Sequence, residues 1–326
     1  MRELLVLSKG GDAPSTRYRA KQYFARLAAA GYRSHHLDLA GGVGNYAAAL
    51  AAARRADIVL VLRKTLPAVL LWALRLCSRR LVFDLDDAIF CNTDGSPSTT
   101  RMTRFRQMAS ACDRVLAGNA FLAEAARRFN RHVDIIPTAV DVDHYAPSAE
   151  KPAGVFDVVW IGSSSTRKYL EEAIPALRQA AEHIPGLRLK IIADFNLDNP
   201  GFPTLTVRWR ADSEALELAS SHVGIAPMRD DDWSRGKCAL KVLQYMAAGL
   251  PVVSSPVGVN GEAVLPGQTG YLATDDAGWV AALVALAKDP VQAQAFGMAG
   301  RQRVEAIYSL ARVSTDLLAA LDDTCR

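Results

Sequence analysis

The sequence predicts an α/β protein built from two doubly wound, Rossmann-like domains, each around a parallel sheet. The chain has 326 residues, and at about 150 residues per domain this length suggests two domains. Short apolar runs alternate with segments of helical spacing, a pattern typical of βαβ units with a buried sheet. The alternation stops at residues 143–154, a stretch that contains Pro, Ser and Gly, and then starts again. Half of the residues are hydrophobic and 22% are charged, which excludes a disordered chain.

The predicted elements follow one another in the order that this fold class requires. In the first half, strands are predicted at 4–7, 58–62, 81–83, 115–116 and 133–136, and helices at 18–30, 66–76 and 121–129. In the second half, strands are predicted at 155–161, 187–192, 205–207, 223–226 and 252–253, and helices at 169–181, 215–219, 240–248, 278–287, 292–307 and 310–321. The apolar runs are too short for helices and are therefore assigned to buried strands.

The net charge indicates which partners the protein can bind, and the cysteines indicate its compartment. The chain carries 38 Lys and Arg against 34 Asp and Glu, a net charge of +4. This mild surplus suits an anionic ligand or a membrane surface and does not support nucleic-acid binding. Five scattered cysteines without metal-ligand spacing predict reduced thiols in the cytoplasm, with neither disulfides nor a metal site. The apolar run at 4–7 is too short for a secretory signal.

One apolar run leaves a membrane contact open. The run at 66–74 contains a proline and is too short to cross a bilayer, which takes about 20 apolar residues. We expect a buried helix here. The alternative is a helix that lies on the inner membrane face as a peripheral contact, which the nearby Arg75, Arg79 and Arg80 favour.

The most informative segment runs from a loop through a helix to a strand between residues 235 and 254. Lys237, Lys241 and Gln244 are spaced by four and three residues, so they are predicted to share one helical face. Both lysines fall in the first turns, where the helix dipole and free backbone N–H groups already favour an anion. The segment therefore predicts a diphosphate site, with a solvated cationic face as the alternative.

Met246-Ala-Ala-Gly-Leu-Pro-Val-Val253 resembles the nucleotide-sugar site of retaining GT-B glycosyltransferases of family 4, the glycosyl transferases group 1. In that family, two glutamates separated by seven residues precede this run, and the second binds the donor ribose. Gly236 and Gln244 occupy these positions here. The resemblance implies a GT-B fold of two facing doubly wound sheets. It also implies transfer of a sugar from a nucleotide-diphosphate-sugar to an acceptor hydroxyl with retention of configuration, without a metal or another cofactor.

Further donor residues follow from the same resemblance. The run at 158–168 is similar to the family's first strand and glycine turn of the donor domain. This similarity implies that Gly162, Arg167 and Lys168 face the donor phosphates, with an ordinary capped helix as the alternative. The other donor residues that the resemblance implies are Lys237, Lys241, Gln244 and Glu262, together with Trp209 and Arg210 beside the base.

Three carboxylates mark the acceptor side. Asp84-Leu-Asp86-Asp87 follows an apolar strand, and carboxylates gathered at one strand end repel one another unless a cation or a ligand compensates. In a GT-B enzyme, Asp86 or Asp87 would orient or deprotonate the acceptor hydroxyl. The alternative is a turn with an Asp cap for the next helix.

A glycine-rich loop after the first strand is the second acceptor-side feature. It contains Gly11 and leads to Arg17 and Arg19. In GT-B enzymes this loop faces the ligands, which implies contacts of the two arginines with the donor phosphates or with an acidic acceptor. Solvated arginines are the alternative.

The resemblance also divides the chain by task. It assigns residues 1–148 to an acceptor-binding domain, residues 149–308 to a nucleotide-sugar-binding domain, and residues 309–326 to a helix that packs back on the first domain. The acceptor can be a saccharide, a lipid-linked molecule or a small molecule, and no nucleic acid is expected as a partner.

Two other interpretations stay open. Because both family glutamates are replaced, the chain can be a GT-B protein that binds a nucleotide without turnover. The segment around Asp84 and Asp86 also resembles the nucleophile motif of haloacid-dehalogenase-type phosphatases. In such an enzyme Asp84 would attack phosphorus and Asp86 would act as acid and base.

Overall fold

The computed structural model describes residues 1–40, 43–145, 150–197 and 200–326, and of Val43 the backbone alone. The chain divides into two compact units. The first unit comprises Met1–Ala139, Asp231–Cys238 and Leu310–Arg326, and the second comprises Val140–Asp230 and Ala239–Ser309. The boundary predicted between residues 148 and 149 lies outside the described residues. In the structure the chain first passes from one unit to the other between residues 139 and 140.

The helices and strands alternate along most of the chain. The strands are β1 (Arg2–Ser8), β2 (Tyr32–Asp38), β3 (Ile58–Leu62), β4 (Arg80–Leu85), β5 (Arg114–Ala117), β6 (Val133–Ile135), β7 (Phe156–Ile161), β8 (Leu187–Ala193), β9 (Thr204–Arg208), β10 (Val223–Ala226), β11 (Val252–Ser254) and β12 (Gly270–Leu272). The helices are α1 (Pro14–Arg19), α2 (Phe24–Ala29), α3 (Val43–Ala53), α4 (Ala68–Cys77), α5 (Thr99–Ala111), α6 (Ala120–Arg127), α7 (Arg167–His183), α8 (Glu214–Ala219), α9 (Asp232–Arg235), α10 (Leu240–Ala247), α11 (Val259–Ala263), α12 (Asp276–Lys288), α13 (Pro290–Arg303) and α14 (Leu310–Cys325).

The first unit is built on a parallel sheet in the order β2-β1-β3-β4-β5-β6. Every residue of β3 is buried, which is why this strand reads as an uninterrupted apolar run. Alternate residues of β1 point to opposite faces of the sheet. Leu5 and Leu7 belong to the apolar cluster shared with α3, α4, α5 and α6. Leu4 and Val6 belong to the cluster shared with α2 and α14, so the last helix of the chain covers one face of the first sheet.

The second unit is built on a parallel sheet in the order β12-β11-β10-β7-β8-β9. Counted within this unit, the strand order is 3-2-1-4-5-6, that of the doubly wound folds that hold a ligand where the order reverses. Leu177 of α7 and Leu283 of α12 are buried in the apolar cluster on one face of this sheet. The predicted pair of doubly wound parallel sheets is confirmed.

Four helices, α3, α5, α9 and α11, were not predicted from the sequence. The α3 helix is largely alanine and α5 carries three arginines, so neither shows a clear apolar period. The helix predicted at 66–76 is present as α4. It was expected to be buried, but one of its faces is exposed. Val69, Trp72 and Leu76 are exposed there.

Two observations bear on compartment and membrane. All five cysteines are free thiols. Among the described residues, no helix combines the length and the apolar character that a membrane crossing requires.

Candidate active site

The carboxyl ends of the strands position most of the predicted residues. In the first unit the sheet order reverses at β1, which lies between β2 and β3. In the second unit it reverses at β7, which lies between β8 and β10. Ligands of open parallel sheets bind beside such points, at the carboxyl ends of the strands. Gly11 follows β1, Asp86 and Asp87 follow β4, and Gly162 follows β7.

Asp87 is held by two cations of the first unit. The Lys237 ammonium lies 2.7 Å from its Oδ1, and the Arg63 guanidinium contacts its Oδ2. The Asp87 side chain is only 5% exposed, so the two cations replace water as its partners. Arg63 adopts a left-handed backbone with φ of 53°, which costs energy in a residue with a side chain. The repulsion expected among the carboxylates is therefore offset inside the protein.

Asp86 is less completely neutralised. The nearest cation is Arg63, whose Nε lies 3.7 Å from Oδ1, beyond hydrogen-bond distance. Among the described residues, this buried oxygen has no hydrogen-bond partner. Burial, and next the negative charge of Asp87, raise the pKa of Asp86 to about 6. Asp86 therefore has the capacity to accept a proton near neutral pH.

A short segment of the second half of the chain carries Lys237 into the first unit. Asn119 Nδ2 donates to the carbonyl oxygens of Arg235 and Lys237, both at 3.1 Å. Gly236 packs directly on Ala88, because a Cβ there would lie 2.6 Å from the Ala88 nitrogen. The position of the family's first glutamate thus has no room for a side chain.

The prediction that Lys237 shares a helical face with Lys241 and Gln244 is wrong. The α10 helix begins at Leu240, after Ala239, which has a left-handed φ of 55°. The change of backbone direction separates Lys237 from the helix. In the structure Lys237 also lies over the ring of Trp233, 4.6 Å from its centroid.

Arg19 is not an exposed loop residue, because its side chain is buried in an ion pair with Asp84. Its Nε and Nη2 donate to the two oxygens of Asp84 at 2.9 and 2.6 Å, and its Nη1 donates to the Ile136 carbonyl at 2.6 Å. Both side chains are at most 2% exposed. The prediction that Arg19 contacts a ligand is therefore wrong. The phosphatase interpretation also fails, because its nucleophile would be Asp84, a carboxylate locked in a buried ion pair.

Gly11 and Arg17 keep positions near the carboxyl end of β1. The loop is fixed at Gly10, whose nitrogen donates to Asp38 Oδ1 at 2.9 Å and whose carbonyl accepts from Thr16 at 2.8 Å. The Arg17 guanidinium lies over the ring of Tyr18, 5.4 Å from its centroid. Both predicted residues therefore stay candidates for ligand contact.

Four residues of the second unit meet at the beginning of α7. The Lys241 ammonium lies 3.4 Å from Thr166 Oγ1 and 5.2 Å from the centroid of the Trp160 ring. Gly162 lies against the same groups, because a Cβ there would come within 2.2 Å of the Trp160 ring and 2.8 Å of Thr166 Oγ1. The structure thus brings the predicted Gly162 and Lys241 together beside a helix start.

Arg167 and Lys168 occupy the first turn of α7, as predicted, and have intramolecular contacts. Arg167 Nε lies 2.7 Å from Glu171, and its guanidinium lies 5.2 Å from the centroid of the Phe195 ring. The Lys168 ammonium lies 4.9 Å from the ring of Tyr169. These contacts place positive charge at the start of the helix without assigning it to a ligand.

Gln244 belongs to a buried network that the sequence did not reveal. Its Nε2 donates to Glu214 Oε1 at 2.6 Å and to the Tyr145 hydroxyl at 3.1 Å. The same carboxylate accepts from the Tyr145 hydroxyl at 2.6 Å and from Trp209 Nε1 at 2.5 Å. Gln244 and Glu214 are 3% and 4% exposed. Gln244 and Trp209 therefore meet, but around a carboxylate of the protein itself.

The remaining predicted donor residues lie apart from these clusters. Arg210 is exposed and pairs with Asp212 at 2.6 Å. Glu262 is exposed on α11, a helix of five residues beside α10, and its carbonyl accepts from Arg303 at 2.9 Å. Among the described residues, no group of three His, Cys, Asp or Glu side chains is arranged to hold a metal ion.

Solved structures share this fold over the whole chain. Sucrose-phosphate synthase from Thermosynechococcus elongatus is similar with a TM-score of 0.82 and 18% identity, covering 99% of each chain. HepE from Anabaena, solved with UDP and glucose, is similar with a TM-score of 0.75 and 16% identity, covering 99% of this chain and all of that one. These likenesses show that the protein has the GT-B fold of glycosyltransferases.

The sequence comparisons find a likeness over part of the chain. Residues 156–289 match the family described as glycosyl transferases group 1. Glycogen synthase from Mycobacterium tuberculosis is 27% identical over 197 residues. That match covers 56% of this chain and 46% of the relative, so the chain matches about half the length of this enzyme. The likeness to this family thus lies in the part of the chain that contains most of the second unit.

Proposed function

We propose that the protein transfers a sugar from a nucleotide-diphosphate-sugar to an acceptor hydroxyl with retention of the anomeric configuration. The observation that carries the proposal is the position of Lys241 beside Thr166 and Gly162 at the beginning of α7. This cluster lies within the residues that match the glycosyl transferases group 1 family.

In this proposal the second unit binds the donor. The α7 helix has 17 residues, long enough for its dipole to attract a diphosphate at the first turn. Lys241 would stabilise the negative charge that grows on the leaving diphosphate. The face of Trp160 holds the ammonium in place through a cation–π contact. A metal ion is then not required for this task.

The first unit would bind the acceptor. Asp86 would accept the proton, or a hydrogen bond, from the acceptor hydroxyl, because its carboxylate retains hydrogen-bonding capacity and its pKa is raised to about 6. Asp87 would act through position and charge, since Arg63 and Lys237 already hold it. Saccharide, lipid-linked and small-molecule acceptors all remain candidates.

Nucleotide binding is the first test. UDP is the first diphosphate to measure, because HepE was solved with UDP; GDP, ADP, TDP and CMP follow, all with EDTA. In titration calorimetry, Lys241→Ala should weaken binding by about 1.5–3 kcal/mol, the worth of a hydrogen bond to a charged group. Lys288→Ala, which removes an exposed lysine of the same unit, should leave affinity unchanged. Equal affinity of both variants would contradict the donor site.

Turnover and stereochemistry complete the test. The matching sugar donor is incubated with saccharide, lipid-linked and small-molecule acceptors, and the anomeric configuration of the product is read by NMR. Retention supports the proposal, and inversion overturns the proposed stereochemistry while leaving the donor site in place.

A second candidate function rests on the two replaced glutamates. Gly236 has no room for a side chain, and Gln244 is bound to Glu214. A protein without these carboxylates can bind a nucleotide without transferring the sugar. Nucleotide binding with no turnover of any donor would favour this function.

A further inference from the structure

The α4 helix presents large apolar side chains to solvent. Val69, Trp72 and Leu76 are 80%, 66% and 67% exposed, and their spacing of three and four residues puts them on one helical face. On the opposite face Leu71 and Leu74 are buried in the core. Single exposed apolar residues are ordinary, whereas an aligned set that includes a tryptophan marks a contact surface.

The helices on either side of α4 carry no acidic residue. The α3 helix has no charged residue at all, and α5 has Arg101, Arg104 and Arg106, all exposed. The three helices together contain four arginines and neither Asp nor Glu. The charged side chains of the three helices that carry and flank the apolar stripe are therefore all positive.

The positive charge continues at the amino ends of the strands. A groove of about 710 Å³ there is lined by six arginines and two aspartates, a surplus equal to the net charge of the entire chain. One of the aspartates, Asp113, lies 3.2 Å from Arg75 of α4. The arginine groove and the apolar stripe thus adjoin on the first unit.

We propose that this face of the first unit docks on a membrane surface that contains anionic lipids. Val69, Trp72 and Leu76 enter the boundary between headgroups and acyl chains, where tryptophan is favoured. The arginines of α5 and of the groove lie level with the lipid phosphates and are attracted by the negative surface potential. A second copy of the chain fits less well, because the self-contact would bring Arg101 and Arg104 against like charges.

The proposed docking is independent of sugar transfer. None of its residues belongs to the Lys241 cluster or to the Asp86 and Asp87 pair. Vesicle binding is measured without nucleotide or acceptor, so its failure leaves the proposed function untouched, and failure of sugar transfer leaves the docking face untouched.

The test is sedimentation of the full chain with phosphatidylcholine vesicles, with or without about one third phosphatidylglycerol. We expect binding to the anionic vesicles, and a loss of about tenfold or more in Trp72→Glu, since a charge is costly in the interface. The matched control is Leu216→Glu, which replaces a side chain of 64% exposure on α8 of the second unit. It should bind like the unaltered protein. Both substitutions are on the surface, and equal melting temperatures verify folding.

Fluorescence gives an independent readout. Of the five tryptophans, all within the described residues, Trp72 is the exposed one, so binding should shift the emission to the blue. Trp72→Phe should keep binding and lose the shift. Three results would overturn the proposal: no binding, equal binding to neutral vesicles, or undiminished binding of Trp72→Glu. A concentration-dependent dimer that Trp72→Glu abolishes would assign the face to a second copy instead.

Discussion

The Lys237 ammonium lies 2.7 Å from Asp87 Oδ1, although 150 positions separate the two residues in the sequence. Family resemblance assigns Lys237 to the donor diphosphate, whereas the structure gives its charge to a nearly buried carboxylate of the first unit. The pair therefore connects the Asp231–Cys238 segment to the predicted acceptor side. Lys241, and not Lys237, lies near Thr166 at the start of α7.

The first prediction separates the two lysines. Lys237→Met should reduce stability, and a double-mutant cycle with Asp87→Asn should give a coupling energy of about 1–2 kcal/mol in chemical denaturation, because Arg63 still compensates part of the charge. Nucleotide-diphosphate affinity should change far less than in Lys241→Ala. A loss of affinity in Lys237→Met equal to that in Lys241→Ala would show that Lys237 leaves Asp87 to bind the donor.

The second prediction concerns pH. The folded-state pKa of Asp86 is raised from 3.8 to about 6, so its contribution to stability is full below its ordinary pKa and is lost as pH rises through about 6. Asp86→Asn should therefore be more stable than the unaltered protein at pH 8, by about 1–3 kcal/mol, and the difference should shrink toward pH 5. Thermal denaturation of both proteins between pH 5 and pH 8 measures this difference in stability.

The same residue governs the expected activity profile. If Asp86 accepts the proton of the acceptor hydroxyl, kcat/KM should fall as pH decreases through about 6. Asp86→Asn should lower turnover by roughly a hundredfold while donor affinity is retained. Full turnover in this variant would remove Asp86 from the mechanism.

The third prediction restores the family residue at position 244. Gln244→Glu would place a second carboxylate 2.6 Å from Glu214, both nearly buried, and should cost about 2–4 kcal/mol at neutral pH. The cost should decrease at pH 5, where the pair can share a proton. The double variant Gln244→Glu with Glu214→Gln should recover most of the stability. The free energy of unfolding of each variant is measured by urea denaturation. If the double variant recovered no stability, Tyr145 and Trp209 would require a carboxylate at position 214.

The fourth prediction compares one substitution at two glycines. A Cβ at Gly236 would lie 2.5 Å from the Ala88 Cβ, whereas a Cβ at Gly44 would meet no atom of the described residues within 4 Å. Gly236→Ala should destabilise the protein by about 1–3 kcal/mol through overpacking. Gly44→Ala, in the α3 helix, should be neutral or stabilising by up to about 1 kcal/mol. Melting temperatures test both, and equal effects would contradict the close packing of Gly236.

The fold was predictable because buried parallel strands leave a direct mark on the sequence. The run Ile58–Leu62 is apolar at every residue because both of its faces are covered. By contrast, α5 was missed, since its outer face carries arginines and only one side packs. The regular spacing of apolar residues reflects which face of a helix is buried. This signal is therefore weak wherever a helix is mostly exposed.

The site was predictable only in part, for a different reason. The grouping of Gly162 with Lys241 was predictable because both residues belong to local sequence patterns. The partners of Arg19 and Gln244 lie 65 and 30 positions away, and a single sequence carries no mark of such pairings. Asn119 holds the segment of Lys237 by hydrogen bonds to backbone carbonyls. Because every residue type has a backbone carbonyl, no pattern of side chains predicts this contact.

The position of α14 has a consequence for how the protein is made. Leu310, Val313, Leu317 and Leu321 of this helix complete the apolar cluster that also contains Leu4 and Val6 at the opposite end of the chain. During translation these side chains are synthesised after the second unit. One face of the first sheet, on which α2 also packs, therefore lacks α14 while the second unit is synthesised. The first unit can therefore complete this apolar core only after the second unit has been synthesised.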